Sequence, residues 1–108
     1  MKQPGFGAHP FWSQQDQITD MLRILRTADG NIQASVLVSV DGLVIASDLP
    51  EQVGEDRVSA MSAAMLSLGE RISIELDRGE LDQVIVRGKK GLVMLYAVGS
   101  EAVLTTMV

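Results

Sequence analysis

The stretch at residues 34–47, ASVLVSVDGLVIAS, constrains the fold more than any other part of the chain. Apolar residues alternate there with period two, which is typical of a β-strand. The alternation begins just before this stretch and comprises Ile32, Ala34, Val36, Val38 and Val40. Asp41-Gly42 then interrupts the pattern, and because both residues can adopt positive φ we predict a two-residue hairpin turn. Leu37 and Ile45 place apolar groups on the second face, so this sheet needs cover on both faces.

The remaining sequence predicts two helices and three further strands. Ser13 is a candidate N-cap for helix one, with Asp16 three residues later and Gly30 at the far end. Helix two is predicted over residues 55–78 and closed by Gly79. Strands three to five are predicted over 82–87, 92–98 and 102–108. Since short turns join these strands, we expect antiparallel neighbours.

Helix two has two faces without charge at their centres. At about 100° per residue, one stripe is predicted to pack on the sheet: Val58, Met61, Met65, Leu68, Ile72 and Leu76. Gly69 lies on its edge, where a missing side chain permits close approach to the strands. The opposite side is small or apolar, whereas a solvent face would carry Lys and Glu.

The opposite side of helix two is therefore predicted to meet a second copy of the chain across a two-fold axis. Arg71 borders this side, and strand three, if it lies at a sheet edge, would pair with another strand. The predicted dimer interface comprises Ala60, Ala63, Ala64, Ser67, Arg71, Ile74, Val84 and Val86. The alternative is that alanine, the best helix former, simply occupies a surface position.

Composition limits the possible partners. The chain has 108 residues, which fits a single domain, and its formal net charge of -5 argues against nucleic-acid binding. It has no cysteine, which excludes disulfides and thiolate metal sites and suits a reducing cytoplasm. No apolar run approaches the length of a membrane span, so no direct membrane insertion is predicted.

The sequence shows no catalytic motif. His9 is the only histidine, so a zinc or copper site would have too few good ligands. The GKKG sequence at 88–91 lacks the spacing of a phosphate-binding loop. Asp41 belongs to the turn, and Glu55 suits the start of a helix, so neither needs a catalytic explanation. We predict no catalytic residue, no cofactor and no metal, and hence no enzyme.

Residues 1–12, MKQPGFGAHPFW, are predicted to form a flexible arm ahead of a single domain at 13–108. Glycine and proline are frequent in the arm, and it carries Phe6, Phe11 and Trp12. One interpretation is a disordered leader. The other is that the aromatic side chains pack on an apolar surface that the domain leaves open.

Four segments together resemble the roadblock / dynein light-chain family, and in particular its bacterial MglB-like members. They are ASVLVSVDGLVIAS, VSAMSAAMLSLGERISIEL, LDQVIVRGKKGLVMLYAVG and AVLTTMV. The resemblance implies a roadblock-type α/β fold: a five-stranded antiparallel sheet of order 2-1-5-4-3 with helices on both faces. Family members commonly carry a further helix after strand five, and that C-terminal helix is absent from this chain.

The resemblance also implies a function. Similar proteins form homodimers or heterodimers and bind small Ras-like GTPases, either as GTPase-activating partners or as scaffolds. We therefore predict a cytoplasmic, dimeric GTPase regulator or binding partner, with Arg57 and Arg71 as candidate partner-binding residues. Surface salt bridges are the alternative role for these arginines. Alternative functions are a non-catalytic adaptor that docks other proteins, or a small-ligand sensor of the profilin or PAS type.

Overall fold

Five strands form one antiparallel sheet with two helices packed on it. The computed structural model describes residues 13–28 and 30–108. The elements in chain order are α1 (Gln14–Ala28), β1 (Ala34–Ser39), β2 (Val44–Asp48), α2 (Glu55–Glu75), β3 (Gln83–Gly88), β4 (Gly91–Val98) and β5 (Ala102–Met107). The strand order is β2-β1-β5-β4-β3, and all four pairs are antiparallel. The fold class and strand order predicted from the sequence are confirmed.

The two helices lie on opposite faces of the sheet. Neighbouring residues of a strand point to opposite faces, and two neighbours at the end of β2 contact different helices. Ser47 donates a hydrogen bond to Glu55 Oε2 at the start of α2, at 2.6 Å. Asp48 pairs with Arg26 of α1, with 2.6 Å between Oδ2 and Nε. Helix α2 therefore packs on one face of the sheet and α1 on the other.

The start of α1 follows from its capping residues. The Ser13 hydroxyl oxygen accepts a hydrogen bond from the Asp16 backbone N–H at 3.0 Å, and Asp16 Oδ2 accepts one from the Ser13 N–H at 3.4 Å. This reciprocal pair satisfies two of the N–H groups that a helix start leaves without an intrahelical partner. The predicted N-cap is confirmed.

The β1–β2 hairpin is confirmed, but its predicted turn type is wrong. Gly42 has φ +89, while Asp41 does not have positive φ. The Gly42 N–H donates to the Ser39 carbonyl at 2.9 Å, and the Ser39 N–H donates to the Leu43 carbonyl at 2.8 Å. The connection is therefore longer than two residues, and only the glycine takes the left-handed conformation, as in a turn followed by a bulge.

The end of α2 also differs from the prediction. The helix ends at Glu75 rather than near Arg78, and Asp77, not Gly79, is the first left-handed residue, with φ 55. The Arg78 N–H donates to the Ser73 carbonyl at 2.7 Å, and the Asp77 N–H to the Ile74 carbonyl at 3.0 Å. These are the two bonds of a Schellman motif with Asp77 at C′. Because Asp tolerates the left-handed region better than most residues, the helix stops before the glycine.

The core lies between the sheet and α2, and it corrects the predicted orientation of that helix. The buried cluster consists of Val36, Val38, Leu66, Leu95 and Val103. Of the stripe predicted to face the sheet, only Val58 packs against this cluster. The other five residues are between 41% and 64% exposed: Met61, Met65, Leu68, Ile72 and Leu76. The prediction that they form the core face is wrong.

Small side chains, rather than large ones, bring α2 onto the sheet. Ser59 and Ser62 lie on the side of α2 that faces the sheet, and both are buried. Thr105 Oγ1 in β5 donates a hydrogen bond to Ser62 Oγ at 2.9 Å. A Cβ atom on Gly69 would lie only 2.9 Å from a Val84 methyl carbon, so the predicted close approach at Gly69 is confirmed. The helix therefore packs closely through its small residues and leaves its larger apolar residues outside.

Candidate dimer and partner-binding surface

The most conspicuous surface feature is an apolar row on the solvent side of α2. We call it the outer stripe, and it consists of Met61, Met65, Leu68, Ile72 and Leu76. These residues are three or four positions apart, so their side chains lie above one another on one side of the helix. Contiguous apolar patches with a polar rim are more often interaction sites than other parts of a protein surface are.

The α2 residues predicted for the dimer interface all lie on one side of this stripe, the side away from Gly69. Ala64 lies between Met61 and Leu68 in helical spacing and is exposed, as is Arg71 three residues beyond Leu68. These two residues border the outer stripe directly. Further round the helix in the same direction, Ala60, Ser67 and Ile74 are exposed and Ala63 is half-buried.

The side of α2 that carries Ala60 and Ile74 faces the β1–β2 and β4–β5 turns. A Cβ atom on Gly42 would lie 3.4 Å from Ala60 Cα, so this part of α2 touches the β1–β2 turn. Ile74 lines an open groove of about 530 Å³ next to the β4–β5 turn, together with the carboxylates of Glu70 and Glu80. The groove is not the deep apolar cavity with converging polar groups that would favour a small-ligand sensor.

Strand β3 contributes a free sheet edge beside α2. It is the last strand in the sheet order and, among the described strands, pairs only with β4. Val84 is half-buried against the core, whereas Ile85 and Val86 are exposed. Because Gly69 holds α2 against Val84, the helix and the free edge lie on adjacent parts of the surface. An exposed apolar edge strand is a template for pairing with another strand.

The candidate arginines lie along the border of the outer stripe. Arg57, Ala64 and Arg71 are each seven residues apart, so they follow one side of the helix. The two arginines are about 21 Å apart along the helix axis at 1.5 Å per residue. Both are exposed, and neither forms an ion pair with another residue in the described part of the chain. Their charges are therefore available to an acidic partner.

Reasoning from the sequence missed that the outer stripe is exposed. A signal was present: Ser59, Ser62, Leu66, Gly69 and Ser73 recur at helical spacing and include three serines and a glycine. Small residues in such a row permit close approach of another element. Of this row, however, only Gly69 borders the stripe predicted to face the sheet, and the other four residues belong to neither predicted face. Apolar content alone favours the outer stripe as the side of α2 that faces the sheet, and that prediction is wrong.

Residues 13–28 and 30–108 contain no group of three or more His, Cys, Asp or Glu side chains able to hold a metal ion. Within the same residues, neither α1 nor α2 has the length and apolar character needed to cross a membrane. His9 and the arm at 1–12 lie outside the described residues.

Comparisons with known proteins agree with this fold. Residues 18–107 match the family model of the Roadblock/LC7 domain. An uncharacterized protein of Methanocaldococcus jannaschii, MJ0310, is 37% identical over 76 residues, which are 70% of this chain. The match covers 66% of that protein, so the chain spans just under two thirds of this relative.

Two solved structures show the same architecture. A Roadblock/LC7 domain from Streptomyces avermitilis is similar with a TM-score of 0.76 and 26% identity, covering 82% of this chain and 75% of the other. MglB of Myxococcus xanthus is similar with a TM-score of 0.78 and 19% identity, covering 88% and 77% respectively, a likeness of fold alone. With the family model matched over nearly the whole described chain, this protein belongs to the Roadblock/LC7 family.

Proposed function

We propose that this protein is a dimeric regulator or binding partner of a small Ras-like GTPase, with no catalytic group of its own. The observation that carries the proposal is the exposed outer stripe beside a free strand edge, on a Roadblock/LC7 domain. The family resemblance described above supports the GTPase as partner, and the likeness of fold to MglB is consistent with it. The proposal places the protein in the cytoplasm, where such GTPases act.

The dimer part of the proposal rests on the energetics of the outer stripe. Its five residues expose roughly the equivalent of two to three whole apolar side chains per protomer. Burying a whole side chain of this type contributes about 1.5–3 kcal/mol, so two protomers would gain on the order of 10 kcal/mol. Association costs of about 4–15 kcal/mol offset much of this gain. Pairing of the two β3 edges would supply the remainder.

A second copy is the occupant that fits this surface best. The stripe is self-complementary under a two-fold axis, and Ala64 at its border leaves room for a facing helix. Arg71, at the border of the outer stripe, and Val86, on the β3 edge, would both contact the second protomer. Ala60, Ala63, Ser67, Ile74 and Val84 remain predicted contacts at the rim. A heterodimer with a paralogue would use the same surface.

Oligomeric state tests the dimer. Light scattering after size exclusion should give the wild-type protein twice the 11.6 kDa chain mass, and Ala64→Glu should give the monomer with unchanged circular dichroism. Leu43→Glu is the matched control, because Leu43 is an exposed apolar residue at the β1–β2 turn. A monomeric wild type at micromolar concentration, or an Ala64→Glu dimer, would contradict the proposed interface.

The GTPase is tested separately, with a Ras-like GTPase from the same organism. Arg57→Glu should weaken binding about tenfold or more, equivalent to about 1.4 kcal/mol, while the dimer persists. Arg71→Glu, at a residue of the proposed dimer interface, is compared with it at matched dimer content. Arg23→Glu on α1 is the control for charge, since Arg23 is exposed and lies on the other face. Unchanged affinity with an intact dimer would refute the role of these arginines. Faster GTP hydrolysis on mixing favours the activator, and binding at an unchanged rate favours the adaptor.

A further inference from the structure

A second apolar surface lies on the face of the sheet that carries α1. We call it the sheet groove; it has a volume of about 360 Å³, and its lining includes Leu25, Ile32, Met94, Tyr96, Leu104 and Val108. No Cα atom of α1 lies within 8 Å of β3, β4 or β5. Helix α1 therefore covers β1 and β2, and no described element covers the other half of this face.

The sequence of this half of the sheet is not that of a solvent-facing surface. A sheet with one wet face shows polar residues at alternate positions. In β4, GLVMLYAV, the side chains on the α1 face include Met94 and Tyr96, and Ile85 of β3 pairs with Met94 on the same face. Tyr96 is half-buried, and among the described residues its hydroxyl donates to Met94 Sδ at 3.5 Å. The groove is mainly apolar, with Asn31 and Thr106 as its polar lining residues, and no described element covers it.

The N-terminal segment of the chain carries aromatic side chains that could cover this groove. The chain contains four aromatic residues, of which Phe6, Phe11 and Trp12 lie in residues 1–12 and Tyr96 lies in the sheet groove. Residues 1–12 contain no carboxylate, so inserting them would bury no acidic side chain. Aromatic side chains bury large areas and pair favourably with other rings.

The chain path permits the contact. The segment joins α1 at Ser13, on the face of the sheet that holds the groove. At full extension Phe6 can lie up to about 24 Å from Ser13, and Phe11 and Trp12 lie within about 7 Å of it, whereas an eight-residue strand such as β4 measures about 26 Å. A tethered segment also acts at a local concentration in the millimolar range, which favours it over a free partner.

We propose that residues 1–12 dock in the sheet groove, with Phe6, Phe11 and Trp12 packing beside Tyr96 and completing the cover of the sheet. This contact is independent of the outer stripe, which lies on the opposite side of the sheet. The proposed contact gives the aromatic residues of the segment a structural role. This role does not depend on the proposed dimer or on GTPase binding.

Trp12 reports on this contact directly, because it is the only tryptophan in the chain. In the native protein, the fluorescence maximum of Trp12 should lie at a shorter wavelength than in urea. Acrylamide should also quench this fluorescence less in the native protein than in urea. Tyr96→Ala should shift the fluorescence maximum to longer wavelength and increase quenching by acrylamide. The double variant Phe6→Ser with Phe11→Ser should have the same effect, and it leaves every residue of the described structure unchanged. Leu43→Ala is the control that should leave both readings unchanged. Circular dichroism establishes that each variant is folded.

Introduced cysteines provide a second measurement, since the chain has none. Ala8→Cys with Asn31→Cys, which keeps the four aromatic residues, should form a disulfide within one chain on mild oxidation because Asn31 lines the groove, and Ala8→Cys with Leu43→Cys should not. Native Trp12 as accessible to acrylamide as in urea would overturn the proposal. So would a blue-shifted emission that is lost on dilution or in Ala64→Glu, because Trp12 would then lie at the dimer interface.

Discussion

Two leucines on α2, two positions apart, are in opposite environments, and truncating each one tests which face of the helix meets the sheet. Leu66 is 3% exposed and packs in the core with Val36, Leu95 and Val103. Leu68 is 53% exposed and belongs to the outer stripe. Leu→Ala removes the same atoms and changes helix propensity equally at both positions. The difference between the two variants therefore measures packing alone.

The expected magnitudes follow from burial. Leu66→Ala should lower the free energy of unfolding by about 3 kcal/mol, within the range of 2–5 kcal/mol for core leucines. Leu68→Ala in the monomer should cost about 1 kcal/mol or less, because half of its side chain is already in water. At about 4 °C per kcal/mol, the melting temperature of Leu66→Ala should fall by roughly 12 °C.

Urea unfolding followed by circular dichroism at several protein concentrations is the appropriate assay. Dimerisation adds stability that depends on concentration, so the loss in Leu68→Ala should shrink on dilution while the loss in Leu66→Ala persists. If Leu68→Ala costs as much as Leu66→Ala at the lowest concentration, the outer stripe faces the sheet. That result would refute the orientation of α2 on which the proposed dimer rests.

Three further predictions concern stability and are measured by urea or thermal unfolding. Gly91→Ala should cost about 1–3 kcal/mol, because Gly91 has φ +151 and a Cβ there would lie 2.6 Å from the Val108 carbonyl oxygen; a neutral effect would contradict this. Ser62→Ala should cost about 1–3 kcal/mol by leaving the buried Thr105 hydroxyl without its partner, and adding Thr105→Val should recover most of it. Asp77→Gly should stabilise the protein by up to about 1 kcal/mol, since Asp77 has φ 55, and a lower melting temperature would oppose it.

The sequence by itself determined the order and type of the elements. The Ser13 cap, the period-two run before Asp41 and the short turns between the last three strands are local signals. Each acts over a few residues, so each can be recognised without knowing what packs nearby. The strand order and the family followed from the resemblance, which depends on the pattern along the whole chain.

Tertiary structure alone decided which side of α2 is buried. The hydrophobic pattern of α2 favoured the row that includes Met65 and Leu68 as the core face, and the structure leaves that row in water. The sheet instead accepts the row with Ser59 and Gly69, because small residues allow the helix backbone to come close to the strands. Apolar content measures how much a helix gains from leaving water, but it does not specify which surface receives it. That choice depends on shape, and shape exists only once the strands and the helix are brought together.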